Sequence, residues 1–462
     1  MLRRVLIANR GEIALRILRA CRELGMETVA VYSTADAEAM HVQLATQAVC
    51  IGPAPAAQSY LNMRALLTVA KATGCDAVHP GYGFLSENAD FAQACAAEGL
   101  TFIGPPPEAI RKAGSKSSAR TLMRAAGVPV TPGSDGPVKT EEEALAAAER
   151  VGYPVLLKAS AGGGGRGIRR CNGAQELRRS FAQARAEAVA CFGEGELYLE
   201  KLVLRPRHIE VQILADRHGN VIHLGDRDCS VQRRNQKLIE EAPAWGVAPQ
   251  VRAAMGEAAV RAARAVGYEG AGTVEFLLDS DGEHFYFMEM NTRIQVEHGV
   301  TEMVTGVDLV QEQLRIASGL ALGYAQEDIR VSGHAIECRV NAEDPQRGFC
   351  PCPGKVEFLH FPGGNGVRVD SCLYTGCELP PYYDSLAAKV IAFAPTRLAA
   401  IRRMRRCMEE FVLEGFATNA ELSYQILYHP AFIRGTATTA FLEESLPELL
   451  DFYNRLNSRE RT

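Results

Sequence analysis

Tyr153-Pro154-Val155-Leu156-Leu157-Lys158-Ala159-Ser160-Ala161-Gly162-Gly163-Gly164-Gly165-Arg166-Gly167-Ile168-Arg169-Arg170-Cys171 is the stretch on which the reading of the fold turns. Its glycine run formally satisfies GxGxxG, the pattern of a dinucleotide-binding turn. The flanks deny that reading. A short apolar strand enters at residues 155–157, and a second strand at 168–171 leaves, where a helix would be required. No Gly-Lys-Ser/Thr follows, so this is not a Walker A loop either. A glycine loop between two antiparallel strands is instead a flap whose bare N–H groups can approach phosphate oxygens closely. Lys158 adds a positive charge beside it. Four consecutive glycines are costly in conformational entropy, which argues for a use at a phosphate over an idle hairpin tip.

Two later strands carry acids where a core strand is normally apolar. Gly272-Thr273-Val274-Glu275-Phe276-Leu277-Leu278 has Glu275 in its middle. Phe285-Tyr286-Phe287-Met288-Glu289-Met290-Asn291 ends with Glu289 and Asn291, which share a face by period-two alternation. Burying an unpaired carboxylate is expensive, so a cation is expected there. Two carboxylates and an amide oxygen are hard ligands suited to Mg²⁺ holding nucleotide phosphates. Thr292-Arg293-Ile294-Gln295-Val296-Glu297-His298 follows directly. If extended, it sets Arg293, Gln295 and Glu297 on one face, offering an anion clamp, an amide and a general base. His298 then points away and reads as structural. Arg339 lies in Glu337-Cys338-Arg339-Val340-Asn341, another charged position in a strand that needs an anionic partner.

Around this centre, 462 residues allow about three domains at roughly 150 residues each. Residues 1–114 alternate strand and helix patterns and predict an open, mostly parallel α/β domain without a dinucleotide fingerprint. Residues 115–330 form a second domain with a flap-like portion at about 131–203. Residues 331–446 are Gly/Pro-punctuated strands plus a helix around 398–411, and 447–462 form a tail. On that helix, Arg402, Arg403, Arg405 and Arg406 read as a solvated basic face. The hydrophobic share of 47%, with 23% charged residues, fits a folded globular protein. A net charge of −5 argues against nucleic acid or an anionic membrane as partner. The 13 cysteines are scattered, with no CxxC pair. Zinc or a disulfide framework is therefore not expected, and free thiols in a reducing cytoplasm fit better. No apolar run is long enough for a signal-peptide core or a membrane span.

The strand–flap signature around Lys158 and Phe287-Met288-Glu289-Met290-Asn291-Thr292-Arg293 resemble the paired signatures of ATP-grasp carboxylate–amine ligases. Ile7-Ala8-Asn9-Arg10-Gly11-Glu12-Ile13-Ala14, His79-Pro80-Gly81-Tyr82-Gly83-Phe84-Leu85-Ser86-Glu87-Asn88 and Arg227-Asp228-Cys229-Ser230-Val231-Gln232-Arg233-Arg234 narrow the resemblance to the biotin carboxylase family. It runs from Met1 to about residue 446. The implied fold is α/β and α+β: a Rossmann-like pre-ATP-grasp domain, an ATP-grasp domain with a mobile glycine-rich lid, and a strand-rich C-terminal domain.

The resemblance also implies an ATP-, bicarbonate- and Mg²⁺- (or Mn²⁺-) dependent ligase that carboxylates biotin on a separate biotin carboxyl carrier protein. That is the first half-reaction of acetyl-CoA carboxylase in fatty-acid synthesis, with carboxyltransferase subunits as further partners. Subunits of propionyl-CoA or pyruvate carboxylases would perform the same half-reaction. A non-catalytic nucleotide-binding paralogue is disfavoured by the intact acids and arginines. By motif, ATP would contact Lys116, Lys158, Gly163, Gly164, Gly165, Glu200, Lys201, Leu202, Val203, His208, Gln232, Asn235 and Leu277. Glu275, Glu289 and Asn291 would hold the metal. Lys237, Arg293, Gln295 and Val296 would bind bicarbonate, with Glu297 as its base. Tyr82 and Arg339 would serve biotin, and the catalytic set is Arg293, Glu297, Arg339 and Lys237. A homodimer is implied by Arg19, Glu23 and Arg368, although Asn365 replaces the usual aromatic residue. Three other departures are Asn235 in place of His, Ala161 in place of a fifth glycine, and Gly299 in place of Pro. The last is expected to loosen its loop.

Overall fold

The computed structural model describes residues 2–114, 116–159, 168–192 and 195–459. The glycines at 163–165 lie outside them, as does the side chain of Lys116, although its backbone opens the helix Lys116–Ala125. In the N-terminal region five parallel strands run in the order Gln47–Gly52, Glu27–Ser33, Arg4–Ile7, Ala77–His79, Thr101–Phe102. The chain leaves the central strand through Asn9 and Arg10 and enters the helix Gly11–Glu23. That helix buries Ile13, Ala14, Ile17, Leu18 and Cys21 at helical spacing. The strand order reverses beside the first strand, and Tyr82 follows the strand on its other flank. This is the place where doubly wound sheets offer a crevice.

The flap region is a separate three-stranded antiparallel sheet, Ile168–Cys171, Val155–Ala159, Leu197–Lys201, in that order. It is backed by the helices Glu141–Val151 and Ala174–Phe192. Alternation places Val155, Leu157 and Ala159 in its core and turns Leu156 and Lys158 toward the other face.

The body is one eight-stranded antiparallel sheet. Its order is Phe285–Asn291, Gly270–Leu278, Arg207–Ala215, Val221–Arg233, Gln236–Ala242, His334–Asn341, Leu386–Ala394, Val367–Ser371. The first five strands precede residue 330 and the last three follow it, so the sheet continues across the boundary drawn there from the sequence. Glu241 pairs in register with Ile336, and Glu240 with Glu337. Charged residues from both segments thereby come to one surface.

Two details differ from the sequence expectations. The arginines on the helix Arg397–Glu410 are not simply solvated. Arg405 donates to the Leu427 carbonyl at 2.6 Å and stacks over Tyr428, Arg406 pairs with Glu410 at 2.7 Å, and Arg403 donates to the Phe393 carbonyl. Nor does Gly299 loosen a loop. It lies buried in the first turn of the helix His298–Thr305, where a Cβ would come within 2.4 Å of the Ile391 side chain. A side chain at this position would have to displace the end of the Ile391 side chain.

Candidate active site

Glu275 sits in mid-strand because its neighbours along Gly270–Leu278 fill the core while its own carboxylate is met by polar groups. Lys237 donates to it at 2.9 Å, Asn291 at 2.8 Å and Gln295 at 3.1 Å, all to Oε1. His208, directly opposite Leu277 on the next strand, reaches Oε2 at 3.0 Å. Burial alone would raise the Glu275 carboxyl, but Lys237 and His208 outweigh it and hold it well below the usual range. The same ammonium also donates to Glu210 at 2.6 Å and Glu297 at 2.7 Å. One lysine thus serves three carboxylates. Against its own burial, those charges push its pKa well above the ordinary value.

Glu297 is fully buried. Lys237 holds its Oε1, and Arg339 donates to Oε2 at 2.8 Å. Burial disfavours its charged form, yet Lys237, Arg339 and Arg227 together keep its pKa well below the ordinary one. Arg339 also donates to Glu240 at 2.6 Å. Burial dominates at Glu240 and raises its pKa to about 7 despite that arginine. Beneath them, the wholly buried Arg227 donates to Glu210 at 2.5 Å, Gln212 at 2.7 Å and Thr301 at 2.9 Å. It anchors the floor.

The expected extended row from Arg293 to Glu297 is corrected by the structure. The chain leaves Asn291, turns, and enters the helix at His298, with the His298 N–H donating to the Gln295 carbonyl. Helix entry competes with extension and wins, because the apolar residues Val300 and Val304 are buried at helical spacing. The residues still converge. Arg293 donates to Gln295 at 2.7 Å, to Asn291 at 3.3 Å and to Glu87 at 3.1 Å. His298 is buried and neutral. Burial, then Lys389 and Arg16, drive its pKa well below the ordinary value, and its Nδ1 meets the Gln295 carbonyl at 2.7 Å.

The expected metal ligands share one strand pair. Glu275 and Glu289 stand directly opposite each other on paired strands, with Asn291 opposite Thr273 two rungs along. Glu275 already has Lys237 and His208 while Glu289 is exposed, so the fit rests on the donor set, and two carboxylates with an amide oxygen suit Mg²⁺ or Mn²⁺. A second grouping, His208, Glu210 and Glu275, brings ligand atoms within 4.8 Å of one another. The Lys237 ammonium already bridges its two acids there.

Of the remaining expected residues, Lys158 pairs with Glu200, which Arg120 also holds at 2.6 Å. The Lys201 ammonium donates to the Gly152 and Tyr153 carbonyls, and the Leu202 N–H to Pro154. Val203 is buried and Leu277 half-buried. Gln232 pairs in register with Lys237 and meets His208 at 3.4 Å. Asn235 is exposed at the tip of the hairpin between Val221–Arg233 and Gln236–Ala242, with positive φ at both Arg234 and Asn235. That two-residue turn favours Asn for backbone reasons alone. Tyr82 donates to Glu12 and lines a cavity of about 150 Å³ with Arg10, Phe84, Tyr382 and Asp384.

Sequence reasoning assigns no role to Glu210, Arg227, Glu240 or Glu87, although Arg227 and Glu87 fall inside stretches that carry the resemblance. Glu210 carries the signal that exposes Glu275, a lone acid inside the apolar strand Arg207–Ala215. Glu87 carries none, because its partner Arg293 is 206 residues away.

Three family models cover the chain in series: "Biotin carboxylase, N-terminal domain" over residues 1–110, "Carbamoyl-phosphate synthase L chain, ATP binding domain" over 115–325, and "Biotin carboxylase C-terminal domain" over 337–444. Biotin carboxylase 1 of Bacillus subtilis is 55% identical, over 96% of this chain and 98% of its own length. The chain belongs to the biotin carboxylase family. Its members are ATP-dependent ligases. Biotin carboxylase of Pseudomonas aeruginosa is 57% identical over 96% of this chain and 99% of its own. The biotin carboxylase domain dimer of Hydrogenobacter thermophilus 2-oxoglutarate carboxylase, solved with MgADP, ADP and bicarbonate, superposes with a TM-score of 0.90 at 51% identity, covering 97% and 98% of the two chains. The Campylobacter jejuni biotin carboxylase–β-γ-ATP complex gives a TM-score of 0.91 at 46% identity, covering 96% and 99%. Among the described residues no helix is long and apolar enough to cross a membrane.

Proposed function

We propose that this chain catalyses ATP- and bicarbonate-dependent carboxylation of biotin on a carrier protein, as the first half-reaction of acetyl-CoA carboxylase. The observation that carries the reading is the grip of Lys237 and Arg339 on Glu297, with the same Lys237 and Gln295 on Glu275 and Arg293 on Gln295. Arg293 and Lys237 bind bicarbonate, and Gln295 and Val296 orient it. Glu297, kept ionised by its cations, accepts the bicarbonate proton. The freed oxygen attacks the γ-phosphorus, ADP departs, and carboxyphosphate forms. Its breakdown gives CO₂ and phosphate, the phosphate takes the biotin N1 proton, and N1 bonds to CO₂. Arg339 stabilises the ureido oxygen that gains negative charge, and Tyr82 lines the biotin side. Glu275, Glu289 and Asn291 hold Mg²⁺ or Mn²⁺, which neutralises phosphate charge when bound. Lys158, Glu200 to Val203, His208 and Leu277 receive the nucleotide, joined by Lys116 and the glycines at 163–165.

A homodimer is part of the proposal, supported by the dimeric Hydrogenobacter relative. Arg19 and Glu23 share the helix Gly11–Glu23, while Arg368 is held by Glu302 and Asp370. Carboxyltransferase subunits complete the assembly. The test is incorporation of labelled bicarbonate into acid-labile carboxybiotin, with ADP formed in step. ADP formation independent of bicarbonate, without label in biotin, would refute the reading.

A further inference from the structure

The scheme above leaves one fully buried cation without a task. Lys389, in the strand Leu386–Ala394, has no exposed surface, and an ammonium in that setting must be compensated by anions and acceptors. In register it lies between Arg339 on one neighbouring strand and Asp370 on the other, so three charged residues cross the sheet on one rung. Its Nζ donates to the Val296 carbonyl at 2.7 Å. It also pairs with Glu12 at 3.2 Å and Asp370 at 3.6 Å.

Each contact leads to a different part of the molecule. The Val296 carbonyl belongs to the peptide that carries the Glu297 nitrogen, so fixing that oxygen fixes the plane from which the Glu297 side chain departs. His298 holds the preceding carbonyl, of Gln295, from the same buried side. Glu12 accepts the hydroxyl of Tyr82, and Asp370 is gripped by Arg368 at 2.7 Å. The ammonium is therefore the shared joint of the turn that carries Gln295, Val296 and Glu297 and the wall that carries Tyr82. Among the described residues no other cation is hydrogen-bonded or ion-paired to both.

We propose that Lys389 is a positioning residue that sets the bicarbonate turn and the Tyr82 wall of the biotin site against each other. This rests on the function proposed above. A lysine that only neutralised Glu12 and Asp370 would matter for stability and would leave substrate constants unmoved. A joint between two subsites moves the constants of both and spares the nucleotide, which is held by other strands.

The test uses the full-length enzyme, with free biotin as acceptor and ADP formation as readout. Wild type comes first. If its ADP formation does not depend on bicarbonate, the proposed function fails before any variant is compared. With wild type active, Lys389→Met should raise the KM for bicarbonate and for biotin about tenfold each, with the KM for ATP changed less than twofold. Unchanged bicarbonate and biotin constants, or an equal rise for ATP, would overturn the assignment. Should that variant fail to fold, Glu12→Leu decides by itself. It should raise the biotin KM at least fivefold while the bicarbonate KM stays within twofold, and an unchanged biotin KM would sever the link.

Discussion

Arg397 and Lys237 are both buried cations gripped by buried glutamates, and their surroundings differ in a telling way. Arg397 donates twice to Glu241, at 2.6 and 3.1 Å, and once each to the carbonyls of Phe432 and Ile433 at 2.7 Å. His334 closes the same carboxylate at 2.7 Å. One guanidinium meets one carboxylate, its remaining donors go to backbone, and the side chain is only 4% exposed. Lys237, at 11%, is shared by three acids. Glu210, Glu240, Glu275 and Glu297 together outnumber Lys237, Arg227 and Arg339. A balanced cluster staples the fold. One whose acids share their cations, with the Glu240 pKa raised to about 7 and arginines that are partly exposed, is arranged to move a proton.

The comparison breaks most readily at Arg339. Arg339→Ala should lower biotin carboxylation by about 10²–10³-fold, the usual cost of losing a charge-stabilising donor. Bicarbonate-dependent ATP cleavage should fall about tenfold less, since Lys237 still holds Glu297 and the charge of Arg227 still favours its ionised form. Equal loss of both activities, measured side by side, would contradict the division of labour.

On the balanced side, Arg397→Ala should destabilise the protein by about 3–5 kcal/mol, because Glu241 is left buried without its cation. Urea unfolding measures this, and a shift below about 1 kcal/mol would show that the cluster is not a staple. A milder contrast comes from buried histidines at which burial outweighs any nearby charge. Burial pushes the His41 pKa down to about 4 and that of His79 to about 3. Both are neutral when folded but take up a proton near pH 6.5 when unfolded, so their stabilisation is complete above pH 6.5 and is lost as pH falls toward those values. His41 alone should cost about 3 kcal/mol by pH 4. A urea midpoint that stays flat from pH 7 to 4.5 would contradict this.

The smallest effect is expected at Asn235. Histidine tolerates the positive φ of the hairpin tip and adds a charge-assisted hydrogen bond to phosphate below about pH 6.5, worth on the order of 1 kcal/mol. Asn235→His should therefore lower the KM for ATP by no more than several-fold, and only at acid pH. An unchanged constant from pH 6 to 8 would assign Asn235 to the turn alone.

How much of this was legible in the sequence depends on where the partner of each charge lies. Glu275 and Arg339 announce themselves as charges inside apolar strands, and Glu289 and Asn291 follow by alternation. Glu210 and Lys389 carry the same mark, in Ile209-Glu210-Val211 and Ala388-Lys389-Val390. The mark identifies a buried charge without saying whether it reacts or braces. Glu241 and Arg397 are 156 positions apart, and no local pattern joins them. The turn at residues 293–297 was hidden for another reason. Extended and helix-entering readings of that segment differ only in tertiary packing against Ile391 and the sheet below. The antiparallel flap strands and the parallel N-terminal sheet were plain, because their hydrophobic periodicity is local.

The central claim is that the acid-rich cluster reacts while the balanced one braces. Comparing Glu297→Gln with Glu241→Gln, each assayed for bicarbonate-dependent ATP cleavage and for urea stability, tests it most directly. Glu297→Gln should lose about 10²–10⁴-fold in rate while remaining folded. Glu241→Gln should lose stability but keep its turnover where it is still folded. A Glu297→Gln enzyme with near-normal turnover would contradict the account, as would a Glu241→Gln enzyme that stays fully stable yet inactive.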